Sequence, residues 1–105
     1  MRPFLFVDIC YILYSKSIDQ FYIGCTSIAI GERLQRHNEG YYDSKWTLKG
    51  VPWEVFMLIE CDSMFQARSI ESHIKKMKSR VYINNLKSYP EIINKLKLRY
   101  LSNNA

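Results

Sequence analysis

A chain of 105 residues is long enough for one hydrophobic core and too short for a second sizeable one, so we expect a single domain over residues 1–105. Hydrophobic residues make up 48% and aromatic residues 14%, which excludes an intrinsically disordered chain. The net charge of +5 and pI near 9.2 favour a polyanionic partner, although a solvated basic surface would give the same balance.

The N-terminal residues predict a β-hairpin. Residues 4–14 form an apolar run broken by Asp8, which is typical of a central strand, and residues 21–25 are its predicted partner. The apolar run is too short to span a bilayer, and no small-residue cleavage site follows it. We therefore expect neither a transmembrane segment nor a signal peptide.

A helix and a loop are predicted next. Thr26 or Ser27 is a candidate cap for a helix that continues to about Glu39, with Gly40 as its stop. Glycine, proline, aromatic residues and lysines then predict a loop over residues 40–53.

The rest of the chain predicts one strand and two helices. Residues 54–61 form the strand, and an S-x-x-Q capping box at residues 63–66 opens a helix to about Lys78. A second capping box at residues 88–91 opens a short basic helix that ends near Leu98. The predicted order is β-β-α-β-α-α, with a core over about residues 4–80.

The cysteines and the charges indicate the compartment and the partner. Cys10, Cys25 and Cys61 are odd in number and lack C-x-x-C spacing, so we expect buried free thiols in a reducing cytoplasm. Residues 68–99 contain nine lysines and arginines against two acids, whereas the remaining residues are slightly acidic overall. A basic C-terminal half is typical of nucleic-acid binding.

Two tyrosine triplets lie on the predicted hairpin. Ile-Cys-Tyr at residues 9–11 and Tyr-Ile-Gly at residues 22–24 are separated by ten residues, so the hairpin brings two phenols onto one sheet. A phenol has a pKa near 10 and is a poor base in water. It becomes useful when a cation or a metal ion stabilises its anion.

Three ionisable residues lie at unusual places on the predicted helices. Glu71 projects from the apolar face, where it could form a salt bridge at an edge or bind a hard divalent cation. Arg33 and His37 are an i, i+4 pair at the rim of another apolar face. Arg33 could pair with an acid or a phosphate, and His37 could pack its ring, bind a phosphate or move a proton.

Taken together, these features resemble the GIY-YIG nuclease family, in particular its small standalone bacterial members. The likeness covers about residues 9–80. The matching elements are the two triplets with their spacing, Arg33-x-x-x-His37-Asn38, the loop with Pro52-Trp53, Ala67-x-x-x-Glu71-x-x-Ile74-Lys75, and the Lys78-Ser79-Arg80 ending.

The resemblance implies an α/β (α+β) domain with a central three-stranded antiparallel sheet flanked by helices. It also implies hydrolysis of DNA phosphodiester bonds with Mg²⁺ (or Mn²⁺) as cofactor, and Glu71 matches the sole carboxylate that binds the metal. A single Mg²⁺ on one carboxylate keeps most of its waters and takes phosphate oxygens from the substrate.

The resemblance also implies roles for five other residues. Tyr11 matches the tyrosine thought to activate the attacking water, and Tyr22 matches a second tyrosine that helps to order the site. Arg33 matches an arginine that steadies the scissile phosphate, and His37 matches a histidine that some members use. Gly24 matches a glycine that lets backbone and substrate approach closely.

The chain also departs from the family pattern. Its first triplet is Ile-Cys-Tyr, and Cys25 follows the second triplet where some members carry a lysine. Lys45 or Lys49 could replace that lysine near the substrate. Asn84 lies near the place of an asparagine that some members carry beyond the metal-binding helix.

Two other functions are compatible with these residues. One is a non-catalytic nucleic-acid-binding module that keeps the fold, and the other is a protein-interaction domain with exposed tyrosines and Trp46 or Trp53 as anchors. We find no base-reading element, so the sequence predicts phosphate contacts rather than a preferred DNA sequence. Forks, flaps, nicks and damaged ends are all candidate targets.

Overall fold

Three antiparallel strands form the centre of the fold. The computed structural model describes residues 7–27, 30–39 and 45–101, with strands β1 (Asp8–Ser15), β2 (Gln20–Thr26) and β3 (Trp53–Cys61). The strand order is β2-β1-β3, which confirms the three-stranded antiparallel sheet and the central place of the first strand. β1 begins at Asp8 rather than at residue 4, and residues 4–6 lie outside the described ranges.

Helices flank this sheet, as predicted, but two of them were not expected. The described helices are α1 (Ile30–Asn38), α2 (Lys45–Lys49), α3 (Met64–Met77), α4 (Arg80–Ser88) and α5 (Pro90–Arg99). The short α2 lies within the predicted loop, and α4 occupies a stretch for which we predicted no element. In the described ranges, every helix falls short of the length and apolar character needed to cross a bilayer.

The two faces of the sheet form two separate apolar clusters. The larger one joins the sheet to α3, α4 and α5, and its buried members include Cys10, Ile12, Ile59, Ile70, Ile74, Ile83, Leu86 and Leu96. The smaller one lies on the α1 side and contains Ile9, Tyr11, Leu13 and Trp53. Side chains of a strand alternate between faces, so consecutive residues of β1 contribute to different clusters.

The ends of α3 follow the prediction, except that the Gln66 side chain bonds the Asp62 amide and not the Ser63 amide that a capping box uses. The Ser63 hydroxyl caps the helix by accepting a hydrogen bond from the Gln66 amide at 3.1 Å, and Lys78 ends it in the left-handed conformation. The buried Gln66 side chain accepts from the Asp62 amide at 2.7 Å and donates to the Lys97 carbonyl at 2.8 Å. Gln66 therefore also ties α3 to α5.

One predicted cap is wrong, and one of the two alternatives for another cap is excluded. Ser88 is the last residue of α4, and α5 begins at Pro90 without a side-chain cap. Ser79 caps α4, because its hydroxyl accepts a hydrogen bond from the Tyr82 amide at 3.0 Å. Thr26 is paired within β2, so it does not cap α1, and the alternative Ser27 borders residues 28–29, which lie outside the described ranges. The predicted helix stop at residue 40 lies outside the described ranges.

A bulge in β3 determines which face Trp53 occupies. The pairing of β1 with β3 shifts by one residue at Phe56, which is an extra residue on the β3 side. The shift moves Trp53 onto the α1 face. There the Asn38 side chain bonds both the amide and the carbonyl of Trp53, at 2.6 and 3.1 Å, and the indole donates to the Thr47 carbonyl at 2.8 Å.

Candidate active site

Two side chains of α1, Arg33 and His37, contact the hydroxyl of Tyr11. Tyr11 lies in the central strand and is fully buried. Its oxygen accepts a hydrogen bond from Arg33 Nε at 3.0 Å and lies 3.1 Å from His37 Nε2. The i, i+4 spacing of Arg33 and His37 places both on the turn of α1 that faces β1.

The environment of His37 keeps its ring neutral. The side chain is 1% exposed, and burial together with the nearby Arg33 charge lowers the pKa of His37 to about 4. In the tautomer without hydrogen on Nε2, His37 accepts a hydrogen bond from the Tyr11 hydroxyl. The lowered pKa makes His37 a weak proton acceptor, so in the trio of Tyr11, Arg33 and His37 the histidine orients the phenol, and the Arg33 guanidinium is placed to stabilise a charge on the phenol oxygen.

Tyr22 packs over this trio. Its ring lies 6.3 Å from that of Tyr11 at an interplanar angle of 19°, and its centroid is 4.6 Å from that of His37. The ring centroid of Trp53 lies 6.0 Å from that of Tyr22, at an interplanar angle of 64°, so the indole packs edge-on against Tyr22. Tyr22 is only half-buried, so it is the phenol of the pair that is nearer to solvent.

Gly24 provides the space that the Tyr11 phenol needs. It pairs with Tyr11 across the β1–β2 ladder. A Cβ atom on Gly24 would lie 2.6 Å from the Tyr11 hydroxyl oxygen and 2.7 Å from Cζ, closer than such atoms approach. The glycine is therefore required by the close approach of a neighbouring ring.

Glu71 reaches the sheet from the opposite face, on α3. Its Oε1 accepts a hydrogen bond from the Cys25 thiol at 2.8 Å, and its Oε2 accepts from Lys75 Nζ at 2.6 Å. Burial and the adjacent carboxylate raise the pKa of Cys25 to about 12, so the thiol stays protonated. The hydrogen bond that Lys75 donates to Glu71 raises the pKa of Lys75, so the ammonium stays charged.

The two halves of the site meet at the edge of the sheet. Gly24 and Cys25 are consecutive residues of β2, so one contacts Tyr11 and the other contacts Glu71. β2 is an edge strand of the described sheet. After the contributions of Glu71, the Tyr22 phenol also adds to the raised pKa of Lys75, so Tyr22 and Lys75 lie within electrostatic reach of each other.

The surroundings of Glu71 fit a metal ion held by one carboxylate. The side chain is 20% exposed and lines a pocket of about 450 Å³. In the ranges that the structure describes, no cluster of three or more histidine, cysteine or acidic residues forms a full protein cage for a metal. Mg²⁺ does not need one, because it commonly retains waters and binds substrate phosphates.

Four cations around Glu71 were not among the predicted site residues. Arg68, Lys75, Lys76 and Lys78 line the same pocket. Arg68 and Lys75 lie three and four residues from Glu71, and this spacing would have identified them, because such residues share a helix face. They would attract the phosphates of a nucleic acid to the carboxylate.

Three predicted substrate-binding residues are not brought to this site by a described contact. Lys49 ends α2, and its carbonyl accepts from the Ser17 hydroxyl at 3.0 Å, at the turn end of the hairpin. Asn84 is exposed on α4 and donates to the Arg80 carbonyl of its own helix. Lys45 begins α2, and its side chain lies outside the described part of the chain.

The buried His37 makes the stability of the protein depend on pH. Its folded pKa of about 4 lies below its ordinary value of 6.5, so only the unfolded chain takes up this proton between those values. Stability is therefore lost as pH falls through this window, by roughly 3 kcal/mol in total. Urea unfolding at a series of pH values measures the loss, which His37→Gln should reduce.

His73→Gln is the control for this prediction. The pKa of His73 is also lowered by burial, but its ring is only half-buried. We expect His73→Gln to change the pH dependence less than His37→Gln does. An unchanged slope in His37→Gln would contradict the prediction, because it would show that the pKa of His37 is the same in the folded and the unfolded chain.

Comparisons with known proteins agree with this geometry. The sequence profile of the GIY-YIG catalytic domain matches residues 8–87. A UPF0213 protein from Syntrophus aciditrophicus (strain SB) is 36% identical over 70 residues, which cover 67% of this chain and 79% of that small relative. No solved structure matched the chain. The match spans both tyrosine triplets, α1 and the Glu71 helix, and this chain belongs to the GIY-YIG family of nuclease domains.

Proposed function

We propose that the chain is an endonuclease that hydrolyses DNA phosphodiester bonds with one divalent ion, Mg²⁺ or Mn²⁺, on Glu71. The observation that carries the proposal is the hydrogen-bonded trio of Tyr11, Arg33 and His37, across the β2 edge from a carboxylate surrounded by cations. Family membership supplies the class of substrate, a nucleic acid.

Tyr11 and its two partners would handle the proton of the attacking water. Arg33 can stabilise the Tyr11 oxygen as an anion that takes this proton, and the neutral His37 orients that oxygen through their hydrogen bond. Tyr11 is fully buried, so water reaches its oxygen only after a neighbouring side chain shifts. Arg33 is the side chain suited to that shift, because a bound phosphate would attract its guanidinium.

Glu71 and its cations would handle the charge of the phosphate. A divalent ion on Glu71 would supply Lewis-acid stabilisation of the transition-state charge and would lower the pKa of a coordinated water. Lys75 forms the salt bridge that neutralises the Glu71 carboxylate in this structure. When a divalent ion neutralises Glu71 instead, the Lys75 ammonium would be able to bind a phosphate of the substrate. Arg68 and Lys76 are placed to hold the neighbouring backbone.

The test is cleavage of labelled plain, nicked and branched DNA in Mg²⁺ or Mn²⁺, with EDTA as the blank. We expect the wild type to cleave, and we expect Tyr11→Phe to lose roughly 100-fold or more of the rate. Tyr14→Phe is the matched control on the same strand, since its hydroxyl bonds Asp19 at the exposed turn. It should cleave like the wild type.

The other outcomes distinguish the alternative functions. Tight DNA binding without cleavage in any divalent ion would contradict the proposal and indicate a non-catalytic nucleic-acid-binding module. Absence of DNA binding even at low salt would indicate a protein-interaction domain. Circular dichroism of each variant verifies that a loss of rate is not a loss of fold.

A further inference from the structure

A second groove, of about 820 Å³, lies between α3 and the C-terminal end of α5. It shares Arg68, Ser72 and Lys76 with the smaller Glu71 pocket, so the two depressions adjoin along α3. The roles proposed above use only the smaller pocket. The α3–α5 groove is therefore a surface beside the candidate active site that has no assigned role.

The lining of the α3–α5 groove combines positive charge with exposed apolar surface. Arg68, Lys76 and Arg99 line it, and none of the described residues that line it is acidic. Phe65 and Met77 also line it and are 57% and 45% exposed. A duplex offers phosphates and hides its base faces, whereas an unpaired strand offers both. The lining is complementary to the second kind of ligand.

Tyr100 is held in place on the wall of this groove. Its hydroxyl lies 3.0 Å from His73 Nδ1, and the Arg99 guanidinium lies 5.4 Å from its ring centroid. Burial, followed by the charges of Arg99 and Lys76, lowers the pKa of His73, so the ring stays neutral at pH 7. A ring fixed in this way loses little conformational freedom when a base packs against it.

We propose that the α3–α5 groove binds an unpaired strand of the nucleic-acid substrate beside the Glu71 pocket. Phe65 and Tyr100 contact the bases, and the three cations contact the phosphates. This inference rests on the proposed function for the role of the adjoining site. The expected substrate class is DNA with an unpaired segment, such as an overhang or a flap, rather than fully paired duplex.

The test measures binding by fluorescence anisotropy in EDTA, so that affinity is read without cleavage. The probes are a labelled blunt duplex and the same duplex with an unpaired tail. We expect the wild type to bind the tailed probe more tightly, and we expect Phe65→Ala to weaken that binding by roughly 5- to 100-fold. Binding of the blunt probe should be unchanged.

Two further variants sharpen the measurement. Leu98→Ala is the matched control, because Leu98 is 69% exposed on α5 and lines a different pocket. It should bind both probes like the wild type. Arg99→Gln should weaken binding of the tailed probe and should lower the slope of log affinity against log salt by about one unit.

The outcomes separate this inference from the proposed function. Equal affinity of the wild type for both probes, or equal behaviour of Phe65→Ala and Leu98→Ala, would overturn the groove as a strand-binding site, even if the wild type cleaves DNA in Mg²⁺. A tail-specific loss in Phe65→Ala would support the groove. If no divalent ion then supports cleavage, only the catalytic proposal fails.

Discussion

Replacing Glu71 with glutamine is expected to reduce DNA cleavage by at least about 1,000-fold, which corresponds to about 4 kcal/mol of transition-state stabilisation. Glu71 is the single carboxylate on which we place the metal ion, so its loss removes the charge that holds that ion. Rates of cleavage under single-turnover conditions, with Mg²⁺ or Mn²⁺ in excess, measure the effect.

The fold should survive this substitution. The glutamine oxygen can still accept from the Cys25 thiol, and Lys75 is half exposed and can turn into solvent. DNA affinity should be unchanged or higher, because a negative charge is removed from a basic pocket. Glu54→Gln is the control, since the Glu54 carboxylate is 55% exposed on β3 and lies 4.0 Å from Lys16. Cleavage by Glu71→Gln at the rate of Glu54→Gln would refute the metal site.

Replacing Gly24 with alanine is expected to destabilise the protein by about 1–3 kcal/mol and to abolish most cleavage. The new methyl group would lie 2.6 Å from the Tyr11 hydroxyl oxygen. The ring has no simple way to yield, because it is fully buried and its oxygen contacts Arg33 and His37. Displacement of that oxygen would separate the trio, so activity should fall even at temperatures where the variant is folded.

Gly31→Ala is the matched control for this prediction. A Cβ atom on Gly31 would meet nothing within 4 Å, and the residue is exposed within α1. Alanine there should leave activity unchanged and raise stability by up to about 1 kcal/mol, because glycine is a poor helix former. Chemical denaturation and the cleavage assay are read on both variants. Equal stability of the two would mean that the Tyr11 ring moves freely.

The α1 side of the site could be predicted because local patterns determine it. Hairpin pairing brings Tyr11 opposite Gly24, and helical periodicity brings Arg33 and His37 to one face. The same patterns predicted the three strands and α3. What they did not predict is that Tyr11 would be fully buried, since burial depends on how α1 covers the sheet.

Local sequence patterns did not predict the contacts of Glu71. Cys25 and Glu71 are 46 residues apart, and their contact depends on where α3 crosses the sheet. The sequence predicts Cys25 as a buried free thiol and as a departure from the family pattern, whereas the structure shows a half-buried free thiol that donates a hydrogen bond to the candidate metal ligand. The sequence patterns do not predict α4, because two cap-type serines, Ser79 and Ser88, border it and only the second fits a capping box.

The bulge at Phe56 keeps Trp53 on the α1 face, so the site constrains the pairing of β3 rather than its length. Deleting the extra residue would restore regular pairing, and Trp53 would stay opposite Ser15 on the same face. The ring of Tyr22 would then keep its contact with Trp53. Pairing of the full-length strand without the bulge would instead turn Trp53 to the other face, so we infer that this strand tolerates loss of one residue at the bulge better than a slip in its register.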